Sequence, residues 1–383
     1  MRSSQQMPGD KLPFLKPCLN HPRVCITIAF LLVFASSFYR VAPDYQAKDD
    51  LNAVQRMILF NGWDDGETFF LIMSKGYGAL PVREYRELPL YPLVARIFSV
   101  VTGKIYSLLV VSFLSSLVCC HLVFSIFRKW GCQVGASLGG ALFFLFLRTP
   151  ESVISLFPTH LPSMESLVAI QGSEPLFLLF VLLSYMEMLR ERHPGASLSL
   201  VLASLTRLSG CFVAFGAFLH LVIKRDKRAL WYGFSPLAIL VVFFYYYLLS
   251  GDFLAFFHGS RAFYPEAFLS WPFHDLIERI GGNLQNPALI AFYVIFHAWF
   301  IGGLFILWKR NRRLFWLTLP QYLVAICLKG WSHHVRYYIV LWGVNAAWCL
   351  FLVKIIGGGH RKKNTHVIKC GEASFNFRKG EIE

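Results

Sequence analysis

The sequence predicts an all-α protein threaded many times through a membrane, and three observations predict it. Of its 383 residues, 56% are hydrophobic and 16% aromatic, while only 15% carry charge. With a mean hydropathy of +0.51, that balance lies outside the soluble globular range and inside the polytopic membrane range. Apolar runs of about 20 residues, the length a helix needs to cross a bilayer core, recur along the chain. Between them the basic residues stand in short clusters, at 128–129, 190–192, 224–228, 309–313 and 361–363. This is the distribution expected of a positive-inside membrane protein. The formal net charge of +15 therefore reads as topology, and no nucleic-acid partner is expected.

Full spans are predicted at about 24–42, 105–127, 174–190, 230–250, 287–308 and 336–354, with shorter ones at 134–148 and 314–328. Residues 1–23 form a polar cytoplasmic segment with Arg2, Lys11, Lys16 and Arg23. No small-residue cleavage site follows the run 24–38, so it reads as an uncleaved first span. Residues 196–223 are interrupted at Thr206-Arg207-Leu208-Ser209-Gly210 and carry basic clusters at both ends. Two short helices forming a hairpin satisfy that pattern and one full span does not, because both ends must lie on the same side. The segment 88–103 breaks parity if it spans, so it is expected to lie near the outer interface. The result is a bundle of about ten membrane helices filling 24–356, with a basic cytoplasmic tail at 357–383. Nine cysteines are scattered without CxxC or Cys/His spacing, most of them in apolar runs, and read as small buried hydrophobes.

This topology puts loop 43–104 outside, with Asp64, Asp65 and Glu67 within four positions of one another. Asp64 and Asp65 precede the apolar run Phe69-Phe70-Leu71-Ile72 as helix N-caps do, and Gly76-Tyr77 is placed to end that helix. A capping Asp can also act as a base, so the two readings are compatible. Arg207 lies in the break of the hairpin. An intramembrane arginine there either snorkels or lines a polar cavity with an anion. Glu174, at the top of a predicted span, is an interfacial cap or part of the same cavity. Lys329, His333, His334 and Arg336 bring positive charge to the outer side, against the positive-inside bias. They suit an interfacial belt or a lipid phosphate. No Walker loop, nucleotide-binding glycine motif or HExxH is present. Outward acids beside cations suit transfer from a polyprenyl-phosphate donor to a hydroxyl. They also suit a transporter of such a lipid.

Several of these residues carry a family resemblance. Trp63-Asp64, Phe70, Gly76-Tyr77 and Leu88-Pro89-Leu90-Tyr91-Pro92 resemble the first outer loop of the GPI-anchor mannosyltransferase II (PIG-V-like) family. Ser173-Glu174-Pro175-Leu176-Phe177 and Thr206-Arg207-Leu208-Ser209-Gly210 are similar to two further motifs in the same order, and Arg336-Tyr337 to one near the last spans. The family has the GT-C fold, so the resemblance implies a polytopic glycosyltransferase that takes sugar, here mannose, from a polyprenyl-phosphate carrier. It implies Asp64 as general base, with Asp65 as competitor. The candidates around the donor phosphate are Arg207, Arg336, Lys329 and His334, and those at the substrates are Trp63, Glu67, Tyr91 and Glu174. Phosphate is already a good leaving group, so neither metal nor cofactor is expected. The chain departs from the family pattern at Gly62, at Glu87-Leu88 and at Gly172. These departures bear on the acceptor and the sugar more than on the fold.

The expected partners are the lipid-linked donor, a lipid or glycan acceptor and the surrounding membrane lipids. The expected location is the plasma membrane of a prokaryote or the endoplasmic reticulum of a eukaryote. Two other classes stay open at the level of sequence. One is a lipid-linked sugar transporter, disfavoured because a single broken helix has no counterpart in the other half. The other is a non-catalytic subunit of a glycosylation complex.

Overall fold

The computed structural model describes residues 20–41, 51–60, 65–146, 172–263, 270–282, 285, 287–327, 348, 369–370 and 373–374. Among them are fourteen α-helices, and apart from a two-residue antiparallel pairing of Lys369–Cys370 with Ala373–Ser374 there is no sheet. The first six are α1 (Pro22–Val41), α2 (Ala53–Phe60), α3 (Asp65–Lys75), α4 (Leu90–Thr102), α5 (Lys104–Lys129) and α6 (Val134–Phe146). Next come α7 (Glu174–Leu189), α8 (His193–Thr206), α9 (Ser209–Ile223) and α10 (Phe234–Ser250). The last four are α11 (Ala255–Phe263), α12 (His274–Gly282), α13 (Pro287–Arg310) and α14 (Arg312–Ile326).

Among the described residues, two helices are long and apolar enough to cross a membrane: α5, and the continuous stretch Lys227–Ser250, in which a 3-10 turn over Lys227–Gly233 runs into α10. Both coincide with runs singled out in the sequence. So do α1, α6, α7, α13 and α14, while the run at 336–354 lies outside the described residues save Trp348.

The expected hairpin is present. Helices α8 and α9 have 14 and 15 residues, about 21–23 Å each, short of the roughly 30 Å hydrocarbon core. They meet at Arg207, whose φ of −149° and ψ of 137° leave the helical region. Gly210 allows this tight reversal, because a Cβ there would collide with the backbone of Ala203 and Ser204. Gly216, further along α9, allows a second close approach. A Cβ there would strike the Trp316 carbonyl, so α9 and α14 lie backbone to backbone. Close approach through small residues is the usual way apolar helices gain van der Waals contact.

The main core is built from one face of each central helix. Ile26 and Phe30 of α1 pack with Cys119, Cys120 and Phe127 of α5 and with Phe177, Leu182 and Tyr185 of α7. Leu200 of α8, Val213 of α9 and Leu314 of α14 complete it. The opposite faces are apolar but uncovered, including Leu237, Val241, Phe244 and Leu248 of α10 and Val294, Ile295, Ile301 and Phe305 of α13. Helix α4 folds back on α5 through Gly103 (φ +81°), and it leaves Leu93, Ile97, Val100 and Val101 exposed.

The turns sort to two ends. At one end, the carboxylate of Glu191 joins Arg313 (2.9 Å), Arg228 (3.1 Å) and the His193 ring (3.3 Å). The Tyr185 hydroxyl accepts hydrogen bonds from Asn311 Nδ2 at 2.7 Å and from the Trp130 indole at 3.2 Å. The basic clusters at 128–129, 190–192, 224–228 and 309–313 therefore share one end. The fifth cluster, at 361–363, lies outside the described residues.

Candidate functional site

The opposite end gathers the segments singled out from sequence. Helix α3 spans Asp65–Lys75 and is followed by Gly76, whose φ of +72° is a left-handed conformation that favours glycine. The Gly76 amide closes the helix on the Ile72 carbonyl at 2.9 Å. Thr68, Phe69, Ile72 and Met73 are buried, while Glu67 is exposed in the first turn. The backbone of Asp65 is thus in place at the helix start. Trp63, Asp64, Lys329, His334 and Arg336 lie outside the described residues.

The structure joins Arg207 and Glu174, 33 residues apart, in one ion pair. Arg207 Nη1 donates to Glu174 Oε1 at 2.8 Å and to Ser173 Oγ at 3.0 Å. Both side chains are nearly enclosed, 15% and 14% exposed. Ser173 stands at the N-cap of α7 yet makes no side-chain cap, because its hydroxyl oxygen is turned to Arg207. Glu174 and Pro175 open the helix, where a carboxylate suits the positive end and proline loses no bond.

Tyr91 is fully buried one layer away. Its hydroxyl donates to the Leu108 carbonyl (2.9 Å), lies 3.0 Å from Ser112 Oγ and accepts from the Gly172 amide at 3.4 Å. Ser112 in turn donates to the Gly172 carbonyl at 3.0 Å. Burial pushes the Tyr91 phenol well above its ordinary value, against the pull of its Ser112 and Gly172 hydrogen bonds. It stays neutral and acts as a structural tie. Its ring meets Phe69 of α3 at 4.7 Å between centroids. A continuous path therefore runs from α3 through Phe69, Tyr91 and Gly172 to Glu174 and Arg207. Ile72 and Tyr77 also share an apolar cluster with Leu205 and Leu208, on either side of the break.

Two groups in this region carry no local sequence signal. Beneath the first turn of α3, Thr68 donates to Glu84 Oε2 at 2.7 Å, and Arg86 Nη2 lies 3.3 Å from Thr68 Oγ1. All three are buried. The 3-10 turn Val82–Arg86 that holds Glu84 and Arg86 is covered by α11 through Gly259, where a Cβ would press on the Val82 carbonyl. Beside it, Tyr77 and Tyr246 both donate to the Glu87 carbonyl, at 2.8 and 2.7 Å. Burial, and then Tyr246, drive the Tyr77 phenol well above its usual range.

No protein-family model matches this chain, and a search of curated proteins finds no match. The site therefore rests on its own geometry. Enclosed, hydrogen-bonded and oppositely charged, Arg207 and Glu174 form a preorganised polar centre at the mouth of an apolar bundle. Such a centre can bind an anion, orient a hydroxyl or stabilise charge that develops nearby. Among the described residues, no three His, Cys, Asp or Glu side chains stand together as metal ligands.

Proposed function

We propose that the chain is a polytopic membrane glycosyltransferase of the PIG-V-like type, with about ten membrane helices and the site described above on the outer or luminal face. It moves a sugar, mannose by resemblance, from a polyprenyl-phosphate donor to a hydroxyl of a lipid or glycan acceptor. Asp64 accepts the hydroxyl proton as the oxygen attacks the anomeric carbon, with Asp65 as the alternative base. The lipid phosphate departs towards cationic groups, of which Arg207, Lys329, His334 and Arg336 are the candidates. Inversion at the anomeric carbon follows from a single displacement.

The observation that carries this reading is convergence. Segments holding Gly76-Tyr77, Leu90-Tyr91, Ser173-Glu174 and Thr206-Arg207 meet at one end of the helices, and the basic turns meet at the other. Uncovered apolar faces on α10 and α13 fit contact with lipid, since patches of that extent are uncommon on soluble monomers. A prenyl tail has the same chemistry as those faces.

The test is transfer of radiolabelled mannose from polyprenyl-phosphate-mannose to acceptors in membranes. Wild type, Asp64→Asn and Asp65→Asn are compared at matched expression. Loss of transfer in Asp64→Asn alone supports both the reaction and its base. Absence of transfer by the wild type from any polyprenyl-phosphate sugar sinks the enzyme reading and leaves a transporter or a subunit.

A further inference from the structure

Gly172 breaks the family pattern, and the structure gives that break a purpose. Its φ of +141° is outside the range side chains readily adopt. A Cβ at this position would collide with Glu174 Oε2. The missing side chain is the space in which the Glu174 carboxylate lies. Tyr91 and Ser112 fix the backbone around that space by bonding the Gly172 amide and carbonyl. The loop therefore holds the carboxylate against the Arg207 guanidinium at 2.8 Å.

A carboxylate and a phosphate oxygen are interchangeable anionic acceptors for a guanidinium. We propose that Glu174 is an internal stand-in for the donor's phosphate. It occupies Arg207 in the empty site, yields that position when a polyprenyl phosphate arrives, and returns to expel the phosphate after transfer. The inference rests on the glycosyltransferase reading for the identity of the anion and deepens it by naming a device for release. The exchange keeps the enclosed guanidinium paired throughout, which avoids the cost of a buried unpaired charge.

The device has a distinct signature. Removing the negative charge with Glu174→Gln leaves the shape nearly unchanged but replaces the carboxylate on Arg207 with a neutral amide oxygen, a weaker competitor that phosphate displaces more readily. The bond that must be broken then has a neutral acceptor in place of a carboxylate, so affinity for polyprenyl phosphate rises about tenfold. Release slows for the same reason, so KM and kcat fall together. Arg207→Gln has the opposite effect on affinity, and the double variant binds as Arg207→Gln does. Gly172→Ala removes the space without touching any charge and shifts affinity in the direction of Glu174→Gln.

The experiment is equilibrium binding of radiolabelled polyprenyl phosphate, without sugar, to the full chain in lipid nanodiscs. Inorganic phosphate serves as competitor, and thermal unfolding checks that each variant is folded. Tighter binding by Glu174→Gln and Gly172→Ala, with weaker binding by Arg207→Gln, is the expected result. Competition by inorganic phosphate that strengthens in Glu174→Gln supports exchange with the headgroup itself. Competition by the lipid alone supports exchange that also needs the tail. Glu174→Gln that binds no tighter than wild type overturns the proposal, and the transferase reading survives if the wild type transfers sugar. A wild type that transfers sugar but binds no polyprenyl phosphate also overturns it. A wild type that neither transfers nor binds sinks both.

Discussion

The hydroxyl of Tyr246 and the carbonyl oxygen of Glu87 lie 2.7 Å apart across 159 residues of sequence. This bond fastens the loop after α3 to the end of α10, and Tyr77 reinforces it by donating to the same carbonyl at 2.8 Å. Tyr246→Phe leaves that carbonyl with one donor and is expected to cost about 1 kcal/mol. Tyr77→Phe combined with Tyr246→Phe leaves it with neither and is expected to cost more than the sum of the singles. Thermal unfolding of the two singles and the double in one detergent measures the difference. Strict additivity would refute the shared-acceptor account.

Glycine at 216 is required by contact between backbones. Gly216→Ala places a methyl against the Trp316 carbonyl, and no side-chain rotation relieves it. The expected cost is about 3 kcal/mol, the upper end of overpacking penalties, with separation of α9 from α14. Gly139→Ala, where a Cβ meets nothing within 4 Å, serves as the matched control and is expected to be neutral or stabilising. Recovery of monodisperse protein after extraction and its melting temperature report both outcomes.

Acid should loosen the end where the basic turns meet. Hydrogen bonds from the Arg228 side chain and amide hold the Asp226 carboxyl at about 2, below its ordinary 3.8. Burial raises the Glu191 carboxyl, but Arg313 and His193 outweigh it and the net shift is downward. A depressed folded-state value means stability that is complete above the unfolded value and lost as pH falls through the folded one. The melting temperature is therefore expected to drop between about pH 4 and pH 2, and to drop less in Asp226→Asn. An equal drop in the variant would exclude Asp226 as a contributor.

The two ends should face opposite compartments. Cysteine replacing exposed Arg83 and cysteine replacing exposed Arg310, each in a background without native cysteines, are to be labelled in sealed vesicles with an impermeant maleimide. One should react from outside and the other only after permeabilisation. Labelling of both from the same side would break the topology on which the proposed function depends.

Much of the fold was legible because long apolar runs and helix-ending residues leave strong local marks. The apolar runs became α1, α5, α7, α10, α13 and α14, and charge parity alone required the reversal at Arg207. Gly76 marked the C-terminal end of α3. The site was legible only in pieces. Glu174 and Arg207 could be suspected of sharing a cavity, but whether they pair depends on how α7 and α8 pack. Thr68, Glu84 and Arg86 could not be assembled from sequence, because a buried polar cluster on a 3-10 turn has no period. Gly172 looked like a mere departure from a pattern, since the reason for it is the position of another residue's carboxylate.

Helix α4 gives the molecule unequal girth at its two ends. Thirteen residues reach only about 20 Å, short of the roughly 30 Å hydrocarbon core, so this exposed apolar rod does not cross a bilayer and adds breadth at the end where it joins α5. Lying near the interface of a bilayer, it would displace acyl chains mainly from one leaflet. Lipids there must tilt or thin to cover the step, and the polar centre at Arg207 sits beside that depression. On the transferase reading proposed above, a prenyl chain would find its easiest lateral entry where neighbouring lipids are already disordered.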